Sequence, residues 1–364
     1  MATFGRRIFA AVAFGAFLLA WNTPAFSQQS SEPSGAASGQ SPSAKPDQVE
    51  AVPEDAPKKS PRSPSKFPEL FKIPNFASCP LTELRKTVPE LAGLKPSTDQ
   101  TGLPALLNHV GATIVEVVRR TPNLISRETV ATKYGASRTQ QHFSYLVLPH
   151  AHPGGKIVFD EFRVDRATGN KFETEDIQRA QVSRPLPSGT AFVDLRGLGN
   201  QLPTLGPGGA PLAQGFANMW IYFDPLNQPE SSFRYLGEQK MSGHRTLVLA
   251  FSQKLESVRS PALFRLTDKT LPLFTQGVAW VDASSFRIVR LQTNLLFRIA
   301  AVDVRQLTTD IQFAQVSIAE LNLPLWMPRQ VSVIWNLGGH IGSEKHHYSD
   351  YRLFHTRSKI VLNP

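Results

Sequence analysis

The chain has 364 residues, of which 41% are hydrophobic and 19% are charged, and its formal net charge is +10. This length can bury one large core or two small ones, and the positive charge would allow binding to nucleic acid, anionic lipid or acidic glycan. Lysine and arginine are scattered, with no run on one predicted element, so the sequence favours no nucleic-acid partner. The single cysteine, Cys79, excludes an internal disulfide, so stability must come from core burial.

Residues 1–27 have the pattern of a signal peptide. Arg6 and Arg7 give a positive start, residues 8–21 form an apolar run, and small residues precede position 28. The run is too short to span a bilayer comfortably, and it is not followed by the cysteine that a bacterial lipoprotein needs. We therefore expect export to the periplasm or the exterior, with no lipid anchor and no transmembrane segment in the mature chain.

A change of composition divides the rest of the chain. Residues 28–66 are rich in Ser, Pro, Ala, Gly and Gln and contain almost no large apolar residue. Such a segment cannot bury enough surface to offset its ordering entropy, so we predict a disordered tether. Apolar residues return at Phe67, and we predict a docking arm with a short helix over 67–100, followed by a β-rich domain over 101–364.

The β-rich domain opens with a predicted amphipathic helix over 103–119. Thr101 can cap this helix, and Arg119 and Arg120 suit the negative end of its dipole. Its apolar residues recur at spacings of three and four, which gives one apolar stripe. They are Leu103, Leu106, Leu107, Val110, Ile114 and Val117.

After residue 123 the apolar period changes to two, which is typical of strands. The candidate strands are 124–134, 142–148, 157–164, 191–195, 233–239, 246–251, 308–317, 330–337 and 346–354. A further hairpin is predicted over 276–294, with Phe286 in its second arm. Asp282 opens its turn, because Asp and Ser side chains bond the backbone locally. A hairpin with so many apolar residues needs a sheet around it.

Two less regular stretches interrupt the strands. The Gly/Pro-rich residues 197–209 lack the spacing of a phosphate-binding loop and are interpreted as a mobile surface loop. The apolar residues 212–223 are predicted to be a helix, which could lie across a concave sheet face and cover an apolar cavity.

Such a lid would turn Trp220 toward the sheet. Phe216 and Phe223 are four and three residues away and would share its face, while Asn218 and Tyr222 would point outward or to the rim of the sheet. The candidate ligand-binding residues are Phe216, Trp220, Phe223, Trp280 and Trp335. The alternative is that these side chains simply fill the core.

The sequence carries none of the common catalytic signatures, such as Gly-x-Ser-x-Gly or His-Glu-x-x-His. The best metal candidates are His340, Glu344 and His346, which have equal parity on a predicted strand and could converge on one side. Zinc needs three or four rigidly held ligands, and a solvated hairpin end explains these residues without a metal. We expect no cofactor, and we expect the acidic pair Asp160 and Glu161 on a solvated strand edge.

One pattern resembles a known group of bacterial proteins. Gly237 and Gly243 lie in one predicted hairpin, and Trp280-Val281-Asp282 lies in the next. With the helix that precedes them, they resemble the lipoprotein-carrier and sigma-factor-regulator families LolA, LolB and RseB over about residues 103–354. The resemblance implies an α+β, mainly antiparallel fold, in which a strongly curved sheet forms a half-barrel with covering helices. It also implies that the concave face accepts something apolar, such as acyl chains.

Three functions remain open at this point. The first is an exported cell-envelope protein that binds a hydrophobic ligand, such as a lipid or the acyl chain of a lipoprotein, without catalysis. The second is a structural or interaction module of the envelope that has a protein partner and no small ligand, for which the tether supplies reach. The third is a metal-dependent hydrolase that uses His340, Glu344 and His346.

Overall fold

The computed structural model describes residues 73–354 except 153–155, 168–170, 173–190, 195–212, 260, 267–269, 301–302 and 322–323. The predicted signal peptide, the predicted tether and the loop predicted at 197–209 lie outside the described residues.

The described residues contain two α-helices and three 3₁₀ helices. They are α1 (Leu81–Thr87), α2 (Leu103–Arg120) and the described 3₁₀ helices Pro89–Leu91, Phe216–Phe223 and Gln228–Glu230. Helix α2 forms where the apolar stripe predicts it and buries Leu106, Val110 and Ile114. Thr101 does not cap it: both the N–H and the hydroxyl of Thr101 donate to Asp99 Oδ1, at 2.9 and 2.7 Å.

The strands confirm the predicted β character of the domain. They are β1 (Lys95–Pro96), β2 (Leu124–Tyr134), β3 (Ser137–His152), β4 (Lys156–Asp165), β5 (Lys171–Phe172), β6 (Ala191–Asp194), β7 (Ala213–Gln214), β8 (Ser231–Met241), β9 (His244–Gln253), β10 (Ala262–Leu266), β11 (Thr270–Leu273), β12 (Thr275–Asp282), β13 (Ile288–Leu295), β14 (Val304–Val316), β15 (Leu325–Leu337) and β16 (His340–Leu353).

Twelve of these strands form one antiparallel sheet in the order β1-β8-β9-β12-β13-β14-β15-β16-β2-β3-β4-β5. Among the described residues, the last long strand, β16, pairs with the first long strand, β2. The terminal strands of the order, β1 and β5, are not paired with each other in the described part of the chain, so the sheet is open. A smaller sheet has the order β11-β10-β6-β7.

The large sheet is strongly curved. Strands β9 and β4 are eight positions apart in it, which would separate them by about 38 Å in a flat sheet at about 4.8 Å per strand. Yet Tyr222 stacks on Phe251 of β9 at a ring-centroid distance of 4.9 Å, and Trp220 packs on Phe159 of β4 at 5.9 Å. Trp220 and Tyr222 are two positions apart in one 3₁₀ helix, so they are separated by only about 4 Å along its axis. The sheet therefore wraps around this helix as a half-barrel, which confirms the predicted fold class.

Residues 73–96 pack against the convex face. Phe76, Leu84, Val88 and Leu91 of this segment are fully buried, in one cluster with Trp280 and other sheet residues. The side chain of Gln276 fixes the segment, because it accepts the N–H of Phe76 at 2.9 Å and donates to the Pro74 carbonyl at 3.1 Å.

Gly237 allows β1 to pair at the edge of the sheet. Its φ is +131°, and an added Cβ would lie 2.0 Å from the Lys95 carbonyl oxygen. Only glycine combines this backbone angle with so close an approach of another chain segment.

The predicted turn at Asp282 forms as expected. Asp282 Oδ1 accepts the backbone N–H and the hydroxyl of both Ser284 and Ser285, at 2.6 to 3.1 Å. Phe286, however, is not a strand residue: it lies in the turn at φ +56° and stacks on His109 of α2 at 4.6 Å. This contact fixes the hairpin end against the helix, and β13 begins only at Ile288.

Candidate functional site

Residues 213–223, which we call the strap, lie against the concave face of the half-barrel. Instead of the predicted α-helix, the strap consists of β7 and the 3₁₀ helix Phe216–Phe223, joined at Gly215 with φ +97°. Every residue of this helix is buried except Ile221, which is half-buried. The strap is therefore an internal element and not an amphipathic lid with one face in solvent.

Two residues that the lid prediction turned outward are buried. Asn218 is 4% exposed, and its side chain forms hydrogen bonds with both backbone polar groups of Phe159. Asn218 Oδ1 accepts the Phe159 N–H at 2.9 Å, and Asn218 Nδ2 donates to the Phe159 carbonyl at 2.7 Å. Tyr222 is 5% exposed and stacks on Phe251. The prediction that these two side chains point outward or to the rim is wrong, because the sheet wraps around the 3₁₀ helix that carries them.

The structure brings four of the five candidate ligand-binding residues into one core. Trp220 stacks on Phe313 at 5.9 Å, and Phe216, Phe223 and Trp335 are at most 1% exposed in the same cluster. The fifth residue, Trp280, lies on the convex face. There it packs in the other cluster, its Nε1 donates to Gln239 Oε1 at 3.0 Å, and the Arg290 guanidinium lies 5.2 Å from its ring. Strand alternation explains the separation, because Trp280 has the opposite parity to Ala279 and Val281 of the inner face.

A cluster of ionisable side chains lies inside the half-barrel. Glu128 of β2 accepts two hydrogen bonds from the Arg163 guanidinium of β4, at 2.5 and 2.8 Å. Glu128 Oε1 also accepts the Tyr348 hydroxyl at 2.8 Å and lies 2.9 Å from His346 Nδ1. The Glu128 side chain is 0% exposed and that of Arg163 is 3% exposed, so this is a fully desolvated ion pair.

The neighbours of each group in this cluster determine its charge. Burial alone would raise the pKa of Glu128, but the Arg163 charge and the hydrogen bond with His346 outweigh it and lower that pKa to about 2. Burial would lower the pKa of His346, but hydrogen bonds to Glu128 and Glu344 outweigh it and raise that pKa above 6.5. The cluster therefore holds Glu128 as an anion and favours the imidazolium form of His346.

Two further buried carboxylates bind the strap backbone. Glu161 of β4 accepts the N–H groups of Gly215 and Ala217, at 3.0 and 2.9 Å. Glu344 of β16 accepts the N–H of Ala213 at 3.0 Å and lies 3.2 Å from His346 Nε2. The expectation that Glu161 lies on a solvated edge is wrong: it is 4% exposed, because the start of the strap supplies N–H donors that need acceptors.

The metal hypothesis depends on three residues that the structure only partly brings together. Glu344 and His346 are adjacent and fully buried, whereas His340 is exposed at the start of β16. Both ring nitrogens of His346 face carboxylates, Glu128 on one side and Glu344 on the other. In the described part of the chain, no group of three or more His, Cys, Asp or Glu side chains is arranged to hold a metal ion.

Two open cavities meet near the end of α2. The first, which we call the mouth groove, has a volume of about 320 Å³ and apolar walls that include Val117, Leu321, Pro324 and Leu325. The second, which we call the outer groove, has a volume of about 630 Å³. Its walls are more polar and include His244, Asp282, Gln312, Gln315 and Arg329.

Arg287 and Trp326 line both grooves. The Arg287 guanidinium lies 5.7 Å from the centre of the Trp326 ring, and Trp326 Nε1 donates to the Ile288 carbonyl at 2.9 Å. Neither residue belongs to the candidate site that the sequence predicts. Arg287 directly precedes β13 and Trp326 lies in β15, so the contact forms across β14, and only the strand order reveals it.

The fold can be compared with solved structures, of which three are described here. No protein-family model and no curated protein matches the sequence. A DUF1329 family protein from Desulfovibrio piger is similar at 12% identity over 70% of this chain and 94% of that one, with a TM-score of 0.35. A LolA superfamily protein from Nitrosomonas europaea is similar at 11% identity over 69% and 94%, with a TM-score of 0.32. The lipoprotein LppX from Mycobacterium tuberculosis is similar at 11% identity over 68% and 95%, with a TM-score of 0.25.

Because all three TM-scores are below 0.5, the evidence for the half-barrel is the strand order and the strap contacts described above. That fold is the one the resemblance to LolA, LolB and RseB predicts. Among the described residues, no helix is both long and apolar enough to cross a membrane.

Proposed function

We propose that the protein is an exported, non-enzymatic binding module of the cell envelope and that its ligand is hydrophobic. In this proposal residues 1–27 direct export, residues 28–66 form a tether, residues 67–100 dock on the convex face, and residues 101–364 carry the binding site. The absence of the common catalytic signatures from the sequence supports a binding role.

The main support for this proposal is the size and the apolar lining of the mouth groove. Its volume of about 320 Å³ lies at the lower end of the range for small-molecule sites, about 300–1,000 Å³. Leu325 belongs to the main core, and Val117 and Leu321 pack against it. An apolar chain in the groove would therefore contact side chains that are continuous with the hydrophobic core.

None of the strap residues lines the mouth groove. Phe216, Trp220, Phe223 and Trp335 are buried in the same core cluster as Leu325, so in this proposal they support the groove from the core and do not contact the ligand. A ligand chain that buries roughly 300 Å² of apolar surface gains about 7 kcal/mol at about 25 cal/mol per Å². Association costs reduce this gain, so we expect an affinity no tighter than micromolar.

Titration with the neutral fluorescent hydrophobe Nile red tests the proposal. Val117→Trp would fill the mouth groove, whereas Val118→Trp places the same side chain on the same helix outside the groove. We expect saturable binding to the wild type, a loss of at least tenfold in Val117→Trp, and less than a twofold change in Val118→Trp.

Urea unfolding of both variants shows how much of each sample is folded, and affinities are compared per folded molecule. Lack of saturable binding by the wild type contradicts the proposal. Equal effects of the two tryptophan variants contradict the assignment of the mouth groove as the site.

A further inference from the structure

The two grooves differ in chemistry and are joined at one residue pair. The mouth groove has mainly apolar walls, and the outer groove has a wall rich in polar and cationic side chains. Arg287 and Trp326 lie where the two meet. A ligand that extends from one groove toward the other would meet apolar side chains first and a guanidinium next.

Arg287 has no acidic partner among the described residues, unlike Arg290 and Arg120 near it. Arg290, three residues further along the chain, pairs with Asp310 at 2.7 Å and with Glu90 at 3.0 Å. In the mouth groove, Arg120 pairs with Glu116 at 2.7 Å. The positive charge at the junction of the grooves is therefore that of Arg287, and it remains available to an anion.

The carboxylate nearest in sequence to Arg287 in the outer groove, Asp282, is already engaged. It accepts the N–H and hydroxyl groups of Ser284 and Ser285, and these hydrogen bonds outweigh burial and lower its pKa. Arg329, which is exposed, adds a second cation to the same groove without an acidic partner in the described chain. Asp282 stays an anion, but the two unpaired cations Arg287 and Arg329 outnumber it among the residues that line the outer groove, so the balance of charge there favours an anionic ligand.

The position of Arg287 is fixed before any ligand binds. Its guanidinium lies over the Trp326 ring, and the hydrogen bond from Trp326 Nε1 to the Ile288 carbonyl holds that ring in place. A stacked arginine keeps the N–H donors at its edge free for a carboxylate or a phosphate, and it loses little side-chain entropy on binding.

We infer that the ligand is an anionic amphiphile, with its apolar chain in the mouth groove and its anionic head group on Arg287. This inference rests on the proposed function, since it requires that the mouth groove binds an apolar chain. Carboxylate and phosphate head groups share the chemistry that the Arg287 edge recognises, and the test separates them.

The test is displacement of Nile red by three ligands with the same twelve-carbon chain: dodecanoate, dodecyl phosphate and dodecanol. All are used below the concentrations at which they form micelles and at low ionic strength, where screening is weak. The proteins are the wild type, Arg287→Gln and the control Arg305→Gln. Arg305 pairs with Asp303 and lines neither groove.

We expect at least one of the two anions to bind the wild type tenfold or more tightly than dodecanol, and the preferred anion identifies the head group. Arg287→Gln should abolish this preference and leave the dodecanol affinity within twofold, and Arg305→Gln should change neither. Equal binding of all three ligands by the wild type overturns the inference but leaves the proposed function intact. Equal weakening of dodecanol and the anions in Arg287→Gln also overturns it, because the residue would then act by packing alone. If Nile red itself does not bind, the proposed function fails and the inference fails with it.

Discussion

Replacing Glu128 by Gln tests the buried ion pair at the centre of the half-barrel. The change keeps the shape of the side chain but removes the negative charge that faces Arg163, whose side chain is 3% exposed. Removal of one partner of a buried pair costs about 3–5 kcal/mol, because the other charge is left without compensation in a medium of low polarity. That loss is a large part of the about 5–15 kcal/mol that stabilises a typical domain.

The pH dependence gives a second estimate of the same quantity. The pKa of Glu128 falls from an ordinary value of 4.5 to about 2 in the fold. A difference of about 2.5 pKa units corresponds to roughly 3 kcal/mol of stability. Since the pKa is lowered on folding, this stabilisation is fully present above pH 4.5 and is lost as the pH falls toward 2.

Urea unfolding at pH 7 and pH 3, followed by tryptophan fluorescence, measures both effects. We expect Glu128→Gln to be less stable than the wild type by about 3–5 kcal/mol at pH 7, and the difference to shrink by about 2 kcal/mol at pH 3. Glu238→Gln, which removes a carboxylate from a surface pair with Arg245, serves as the control and should cost at most about 1 kcal/mol. A Glu128→Gln variant as stable as the control at pH 7, or a difference that does not change with pH, would refute the reasoning.

Three further substitutions test the buried histidine, the close approach at the sheet edge and the packing of the strap. Because the pKa of His346 is raised above 6.5, its contribution to stability is present below that pH and lost as the pH rises through the raised value; His346→Gln should therefore flatten the alkaline side of a stability profile measured from pH 6 to pH 9. Gly237→Ala should lower the urea midpoint more than Gly243→Ala, because both have positive φ but only at Gly237 would the added Cβ meet the Lys95 carbonyl; equal midpoints would contradict this. Trp220→Ala should cost about 3–5 kcal/mol in urea unfolding, whereas a loss below about 1 kcal/mol would show that the strap covers open space.

Local periodicity explains what the sequence could predict. Both ends of strand β2 agree with the predicted bounds, and α2 extends only one residue beyond its predicted end. The Asp282 turn forms with the predicted side-chain bonds. Each of these features depends on residues close together in the chain, whose spacing or side-chain chemistry identifies the element.

The strap could not be predicted from the same rules. An apolar run such as residues 212–223 has no polar face, so periodicity does not distinguish a covering helix from a segment that is buried on all sides. Asn218 was the one polar residue in its middle, and its position inside depends on the backbone of Phe159, which is 59 residues away in the chain. Burial of the strap is decided by the curvature of the sheet, which no local pattern specifies.

Sequence patterns could not predict the ionisable cluster for a similar reason. Arg163 and His346 are 35 and 218 residues from Glu128, and they meet because β16 pairs with β2 while β4 lies two strands further on. Parity correctly placed Glu344 and His346 on one side of their strand. It could not show that Glu128 and the strap backbone would occupy the positions around them.

Native mass spectrometry of the full chain, purified without detergent from cells that produce it, tests the central claim most directly. The proposed function predicts a population heavier than the apo protein by the mass of an amphiphile, and the further inference predicts that the released molecule carries an anionic head group. The Val117→Trp variant should show much less of this population than the Val118→Trp variant. A single apo mass, which also fails to shift when dodecanoate, dodecyl phosphate or dodecanol is added, would contradict the account.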